Sequence, residues 1–188
     1  MAPLRIEGYV IVSAEGMLAD ARNVMPNALK FDGDAKFFSA ALDRADMIVH
    51  GRNSYEDQPN SPKRRRIILT RGVKAFAPDP DNPKATLWNP AGAPFDAACG
   101  AAGVKSGTVA IIGGPVVFGM FLDRYDTFYL SQAPHVHLPD GEPCFPGVTA
   151  ARSPQQVLAA HGLQPAESEV LDPAFDVTVT AWRRNRQS

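Results

Sequence analysis

Cysteine is nearly missing from this chain. Its two residues, Cys99 and Cys144, lie far apart in 188 positions and in no paired motif, which excludes a disulfide framework and a zinc site built on cysteine pairs. Both are expected as ordinary buried thiols, because free cysteine behaves as a small apolar residue. An excess of charge is missing too. With 19 Lys and Arg against 20 Asp and Glu, the formal net charge is -1, so no overall positive field draws phosphate backbones or anionic lipid. Nucleic acid and a membrane surface are therefore not expected as partners. Nor does any stretch approach the roughly 20 uninterrupted apolar residues of a membrane span. The opening MAPLRIEGYVIVSAEG carries charge on both sides of its strand-like run and lacks the apolar stretch and cleavage pattern of a secretory signal. A soluble, cytoplasmic protein is expected. Internal repeats and low-complexity segments are also absent.

What is present suits one globular unit. Apolar residues make up 45% of the chain, and 188 residues bury a single sizeable core, so one domain is expected over 1–188. Apolar runs of strand length occur at Ile6–Val12, Met47–His50, Arg66–Thr70, Thr86–Trp88, Thr108–Ile112, Thr127–Ser131 and Phe175–Trp182. Helical spacing appears at Asp34–Ala45, Pro94–Gly103 and Val116–Leu122, and more weakly at Pro154–His161. Met47–His50 and Thr108–Ile112 are nearly continuous in apolar residues, as parallel strands covered on both faces require. The last run instead alternates Val177, Val179 and Ala181 with Thr178 and Thr180, the pattern of an antiparallel strand at a C-terminal edge. Asp79–Pro83 and the Pro-rich run Pro134–Pro146 read as surface excursions.

Three strand-to-turn junctions carry the chemical signal. Ile111-Ile112-Gly113-Gly114-Pro115-Val116-Val117 takes a buried strand through two glycines into a helix. Glycines let a ligand approach the backbone, and the helix start offers unpaired N–H groups to a phosphate; the alternative reading of the pair is the strand-to-helix turn alone. Val49-His50-Gly51-Arg52-Asn53-Ser54-Tyr55 ends a strand in a glycine followed by a cation, an amide and a hydroxyl, the groups that hold phosphate oxygens. Ile67-Ile68-Leu69-Thr70-Arg71-Gly72 sets a hydroxyl and a guanidinium at a third strand end, where a cation can clasp the extra phosphate that separates NADP from NAD. The preceding cations Lys63-Arg64-Arg65-Arg66 read as a solvated lead-in to that strand, with steering of a phosphorylated ligand as the second reading. All three junctions place phosphate chemistry at the carboxyl ends of strands, where open α/β sheets bind ligands.

The order and spacing of Gly51-Arg52-Asn53-Ser54-Tyr55-Glu56, Leu69-Thr70-Arg71 and Ile112-Gly113-Gly114, followed by Phe118 and Phe121-Leu122, resembles the dihydrofolate-reductase-like superfamily. Ser13-Ala14-Glu15-Gly16-Met17-Leu18-Ala19 is similar to the Ser-x-Asp-Gly-x-x-Ala pattern of the riboflavin-biosynthesis reductase domain and its stand-alone relatives, with Glu15 in place of the usual Asp. The resemblance spans roughly residues 6–146. It implies a three-layer α/β/α fold with a mainly parallel sheet of about eight strands, NADPH as cofactor, a small heterocyclic substrate, and a homodimer. By the same resemblance Leu18 and Ala19 would meet the nicotinamide carboxamide, and Gly51, Arg52, Asn53 and Ser54 the diphosphate and 2′-phosphate side. Leu69, Thr70 and Arg71 would border the adenosine end, while Gly113, Gly114, Pro115, Val116 and Val117 would wrap diphosphate and ribose. Pro115 stands where a third glycine is common and supplies no N–H.

Hydride transfer to a C=N bond calls for a proton, and a carboxyl group near the substrate is its usual source. In dihydrofolate reductases that group opens the helix after a Met-Pro segment. Here Met25-Pro26 precedes Phe31-Asp32-Gly33-Asp34-Ala35-Lys36-Phe37-Phe38, which makes Asp34 the first candidate and Asp32 the second; an Asp at a helix start also serves as an N-cap. Ser13, Glu15 and Phe38 are the candidates for substrate contact, although Phe37 and Phe38 also suit a core helix face. His135 and His137 are two apart without a third ligand at suitable spacing, so no metal is expected. No His-x-Glu with a Cys-x-x-Cys is present, so the chain carries no deaminase half. Two reductase readings stand side by side: a pyrimidine reductase like that of riboflavin biosynthesis, and a dihydrofolate or pterin reductase. A non-catalytic nucleotide-binding protein on the same fold is the reading of another class.

Overall fold

The computed structural model describes residues 3–185. β1 (Leu4–Val12) leads through β2 (Met17–Ala19) into α1 (Asp32–Arg44), which crosses to β3 (Met47–Gly51). Then follow β4 (Arg66–Leu69), β5 (Phe76–Asp79), β6 (Asn82–Trp88), α2 (Phe95–Ala101), β7 (Gly107–Ile111), α3 (Pro115–Met120) and β8 (Thr127–Gln132). β9 (Glu142–Pro143), α4 (Pro154–Ala160), β10 (Leu163–Asp172) and β11 (Val177–Arg184) complete the chain.

Nine strands form one sheet in the order β10-β11-β8-β1-β7-β3-β4-β6-β5, and β2 pairs with β9 apart from it. β8, β1, β7, β3, β4 and β6 run parallel. Both edges are antiparallel hairpins, β10/β11 and β5/β6. Alternation along the strands sorts the core into two layers. Ile6, Val12, Met47, Val49, Val109, Ile111, Phe128 and Leu130 enter the larger cluster, shared with α2, α3 and α4. Tyr9, Ile48 and Ala110 face the other way, onto Phe37, Phe38, Ala41 and Leu42 of α1. Helices on both faces of a mainly parallel sheet make this a three-layer α/β domain of the expected class.

Three sequence readings need correction. β11 is not the edge: it lies between β8 and β10. β10 escapes detection because Gln164 to Val170 are exposed on both faces, so neither alternation nor an apolar run marks it. The run Pro134–Pro146 is not wholly a surface excursion, since Cys144 and Phe145 are fully buried and Glu142–Pro143 forms β9. The lead-in to β4 is only half solvated. Lys63 and Arg65 are exposed, but Arg64 and Arg66 are buried, because Glu56, Asp43 and Gln58 supply partners that local sequence does not reveal. Asp79–Pro83 is the exposed turn of the β5/β6 hairpin. Both cysteines are free and buried, and no helix among the described residues is long and apolar enough to cross a membrane.

Candidate functional site

β7, β3 and β4 are adjacent and parallel, so the turns that follow them emerge side by side. The Gly51 N–H donates to the Gly113 carbonyl at 2.8 Å, joining the turn after β3 to the turn after β7. The Gly113–Gly114 peptide is cis, and Gly113 has φ +118°, a conformation that favours glycine. A Cβ on Gly113 would come within 3.2 Å of the Phe118 ring, and one on Gly114 within 3.4 Å of the Ser54 hydroxyl. Pro115 opens α3, Val117 is buried below, and Val116 stands exposed. Arg52 and Asn53 project to solvent, and their side chains form no hydrogen bond or ion pair with the described residues. Leu69 pairs with Gly51 across β4/β3. Thr70 bonds Trp88 O through its N–H and accepts the Gly72 N–H at 3.0 Å on its hydroxyl, leaving Arg71 exposed beside the turn.

On the α1 side, the floor of the site is aromatic. Tyr9 stacks on Tyr129 at 4.9 Å and 10° between planes, with Phe37 and Phe38 at 6.2 and 6.3 Å from Tyr9. Ile112 packs against the same cluster. Burial, reinforced by the bond from its hydroxyl to Glu7 at 2.6 Å, pushes the Tyr9 phenol well up. One helical turn before Phe37 and Phe38 comes Asp34. It is not the helix cap, a place taken by Phe31; it lies in the first turn of α1 and turns onto the Ser131 hydroxyl of β8. Burial raises its carboxyl to about 6, against the opposing pull of the Ser131 hydrogen bond. Asp32, two residues earlier, is exposed and lines a separate cleft with Phe31, His135 and Phe175.

Register relates the carboxyl to the glycine turn. Ser131 pairs with Ile11 on one side of β1, and Ile111 with Gly8 on the other. Asp34 and Gly113 thus flank the carboxyl half of β1, with β8 and β7 two strand spacings, about 10 Å, apart.

The first loop is knit together internally. Ser13 is buried, and its hydroxyl accepts the Met17 N–H at 3.2 Å and donates to Glu15 at 3.2 Å. The Glu15 carboxylate accepts the Leu138 N–H at 2.9 Å and pairs with His137 at 3.4 Å. Leu18 is half-buried against the core and Ala19 is buried, both in β2. His135 pairs with Asp176 at 2.7 Å, and no cluster of metal-ligating side chains exists among the described residues.

Sequence reasoning missed Tyr9, Tyr129, Ile112 and Ser131 as site residues. Their signal was strand parity: Tyr129 and Ser131 share one face of β8 with Tyr9 and Ile11 of β1. It also missed a polar cluster beneath the turn after β3. Arg66 donates to Glu56 at 2.6 and 2.8 Å, to Ser61 O at 2.8 Å and to His50 Nε2 at 3.0 Å. Burial works to raise the Glu56 carboxyl, but the bonds and charge of Arg66 outweigh it and hold it below the usual range. Nothing local distinguishes His50, Glu56 and Arg66 from solvated residues.

A mainly parallel sheet with helices on both faces defines a three-layer α/β domain, and its glycine turns gather at the carboxyl ends of the strands. No family model matches the chain, and no curated protein matches it. Solved structures do. A protein named for riboflavin biosynthesis from Shewanella sp. PV-4 superimposes with TM-score 0.66 at 24% identity, over 97% of this chain and 99% of that one. Dihydrofolate reductase from Enterococcus faecalis, complexed with NADP(H) and RAB-propyl, gives 0.64 at 18% identity over 97% of each chain. The diaminohydroxyphosphoribosylaminopyrimidine deaminase/5-amino-6-(5-phosphoribosylamino)uracil reductase of Thermotoga maritima gives 0.63 at 14% identity, over 98% of this chain and 57% of that one. The chain has the dihydrofolate-reductase-like fold.

Proposed function

We propose that this protein is an NADPH-dependent reductase of a small heterocycle, of the kind represented by the pyrimidine reductase of riboflavin biosynthesis. The observation that carries the reading is Asp34: a carboxyl raised to about 6 and bonded to Ser131, one helical turn before Phe37 and Phe38 of the aromatic cluster, across β1 from a double-glycine turn.

The residues around that turn fit a dinucleotide. The glycines leave room against the backbone, Ser54 lies beside them, and Arg52 and Arg71 offer cations with no partner among the described residues. Gly51–Ser54 and Gly113–Val117 would hold the diphosphate and ribose, and Leu69–Arg71 the adenosine end with its 2′-phosphate. Leu18 and Ala19 would border the nicotinamide. The bound cofactor supplies a hydride. The chain's own part is to orient and to protonate: the Asp34 carboxyl, raised to about 6, carries its proton up to that pH and donates it to the substrate nitrogen as the neighbouring carbon is reduced. Tyr9, Phe37, Phe38 and Ile112 exclude water from that exchange, and a carboxyl in such surroundings holds its proton to higher pH.

A half-buried carboxyl also suits the second reading, a dihydrofolate or pterin reductase, because an aminopyrimidine edge would offer it two N–H donors. Ser13 and Glu15, which brace the first loop, would meet the substrate at that loop.

Titration of the purified protein with NADPH and NADH, followed by nicotinamide fluorescence, tests the proposal. NADPH is expected to bind at least tenfold more tightly than NADH, and Arg71→Ala to remove most of that preference. Bound NADPH should then be oxidised by an aminopyrimidine or a pterin. Binding without turnover on either class would point to a non-catalytic nucleotide-binding protein, and no binding of either dinucleotide would overturn the reductase reading.

A further inference from the structure

The cluster under the turn after β3 lies outside the cofactor and substrate contacts named above. Arg66 is 0% exposed, His50 1% and Glu56 6%. Removing an ion pair from water costs several kcal/mol per charge before the partners attract one another, so an apolar pair would serve simple stability at least as well. Where the bonds lead is informative. The Gly51 carbonyl lies 2.7 Å from His50 Nδ1. A carbonyl can only accept, so Nδ1 carries the proton and Nε2 is the acceptor for Arg66 Nη1 at 3.0 Å. The same Gly51 carbonyl accepts the Ser54 N–H at 3.2 Å, and the Gly51 N–H donates to Gly113 O at 2.8 Å. One chain of hydrogen bonds therefore runs from Glu56 through Arg66, His50 and Gly51 to the double-glycine turn.

Two further contacts extend it. The Arg66 guanidinium lies over the Tyr55 ring at 4.6 Å, backing a side chain that is 50% exposed. Arg64 bonds Asp43 of α1 at 2.6 Å and Glu56 at 3.4 Å, tying the same cluster to the helix that carries Asp34.

We propose that Glu56, Arg66 and His50 are positioning residues, which fix the Gly51–Tyr55 turn and its junction with Gly113 in the geometry that receives the cofactor phosphates. The inference rests on the cofactor reading for its function, but the fixture itself is measurable in the free protein. His50 keeps the Gly51 carbonyl turned inward, so the peptide groups that follow are presented outward. Glu56 holds Arg66 in register, and Arg66 holds the tautomer of His50. The three act through the turn and touch no ligand.

The test uses Glu56→Gln and His50→Phe in the full-length protein, with amide hydrogen exchange of the free protein and NADPH affinity as readouts. Exchange at Gly51 and Ser54 is expected to speed at least tenfold, with β8 amides unchanged, and the NADPH dissociation constant to rise at least tenfold. A merely structural role would lower the melting temperature and leave both readouts within twofold of wild type, which would overturn the proposal. If either variant does not fold, Glu56→Leu combined with Arg66→Met carries the test, since apolar volume replaces the charged pair. It should fold and still show the fast exchange and weak binding; normal exchange in it would sink the idea. Should wild type bind no NADPH, the cofactor reading falls, and the exchange data alone decide whether the fixture exists.

Discussion

Asp34, in the first turn of α1, and Ser131, near the end of β8, are joined by a side-chain hydrogen bond in a half-buried site. The hydroxyl favours the ionised carboxyl and burial disfavours it; burial wins, and the proton is held to about pH 6.

That balance has a sign. The folded protein keeps the Asp34 proton up to about pH 6, while the unfolded chain releases it near the ordinary aspartate value of 3.8. Between these values the folded state binds more protons, so stability falls as pH rises through the window and stays lower above it. Asp34→Asn removes this penalty. It should stabilise the protein by roughly 1–3 kcal/mol at pH 7.5 and by almost nothing near pH 3.5, while abolishing turnover. Thermal unfolding at the two pH values checks the first part, and NADPH oxidation the second.

Gly33 offers a test of how α1 is seated. Alanine usually favours a helix by about 1 kcal/mol over glycine, yet a Cβ here would strike the carbonyl of Leu171 on β10. Backbone cannot yield as a flexible side chain does, so Gly33→Ala should destabilise by about 1–3 kcal/mol. A lower urea midpoint with unchanged m-value would show it. Because Asp34 is the next residue, turnover should drop as well.

The ion pair beneath the turn predicts an asymmetry. Arg66→Ala leaves the buried Glu56 with only Ser61 and the longer Arg64 contact and should cost about 3–5 kcal/mol, whereas the apolar pair Glu56→Leu with Arg66→Met should cost far less. Denaturant unfolding of the two variants, compared at one temperature, decides it.

Both thiols should be inert in the native protein. Burial, with the charge of Asp96 assisting, pushes Cys99 up to about 12, and burial pushes Cys144 up further. Since the thiolate is the reactive form, a thiol reagent at pH 8 should modify neither until denaturant is added. Rapid labelling of the folded protein would contradict this.

Much of the frame was legible along the chain. β3 and β7 announced themselves as apolar runs because a parallel strand between two helical layers needs apolar residues at every position. The glycine turns were visible because close backbone approach needs glycine, and Asp34 because its spacing from Phe38 follows the pattern of a known reductase helix. β10 was hidden, since a strand exposed on both faces has no period to read. Arg66 was hidden among its neighbouring cations, as nothing in Lys63-Arg64-Arg65-Arg66 tells which members turn inward.

The sequence by itself therefore determined the strand and helix periodicity, the turns at the carboxyl ends and the carboxyl group available to the site, all properties of residue type and local spacing. Tertiary structure alone decided that Ser131 meets Asp34, that Tyr9 stacks on Tyr129, and that Glu56 reaches Arg66 and, through it, His50. Those contacts join residues distant in sequence or select one of several equivalent neighbours, and only strand register and helix packing specify them.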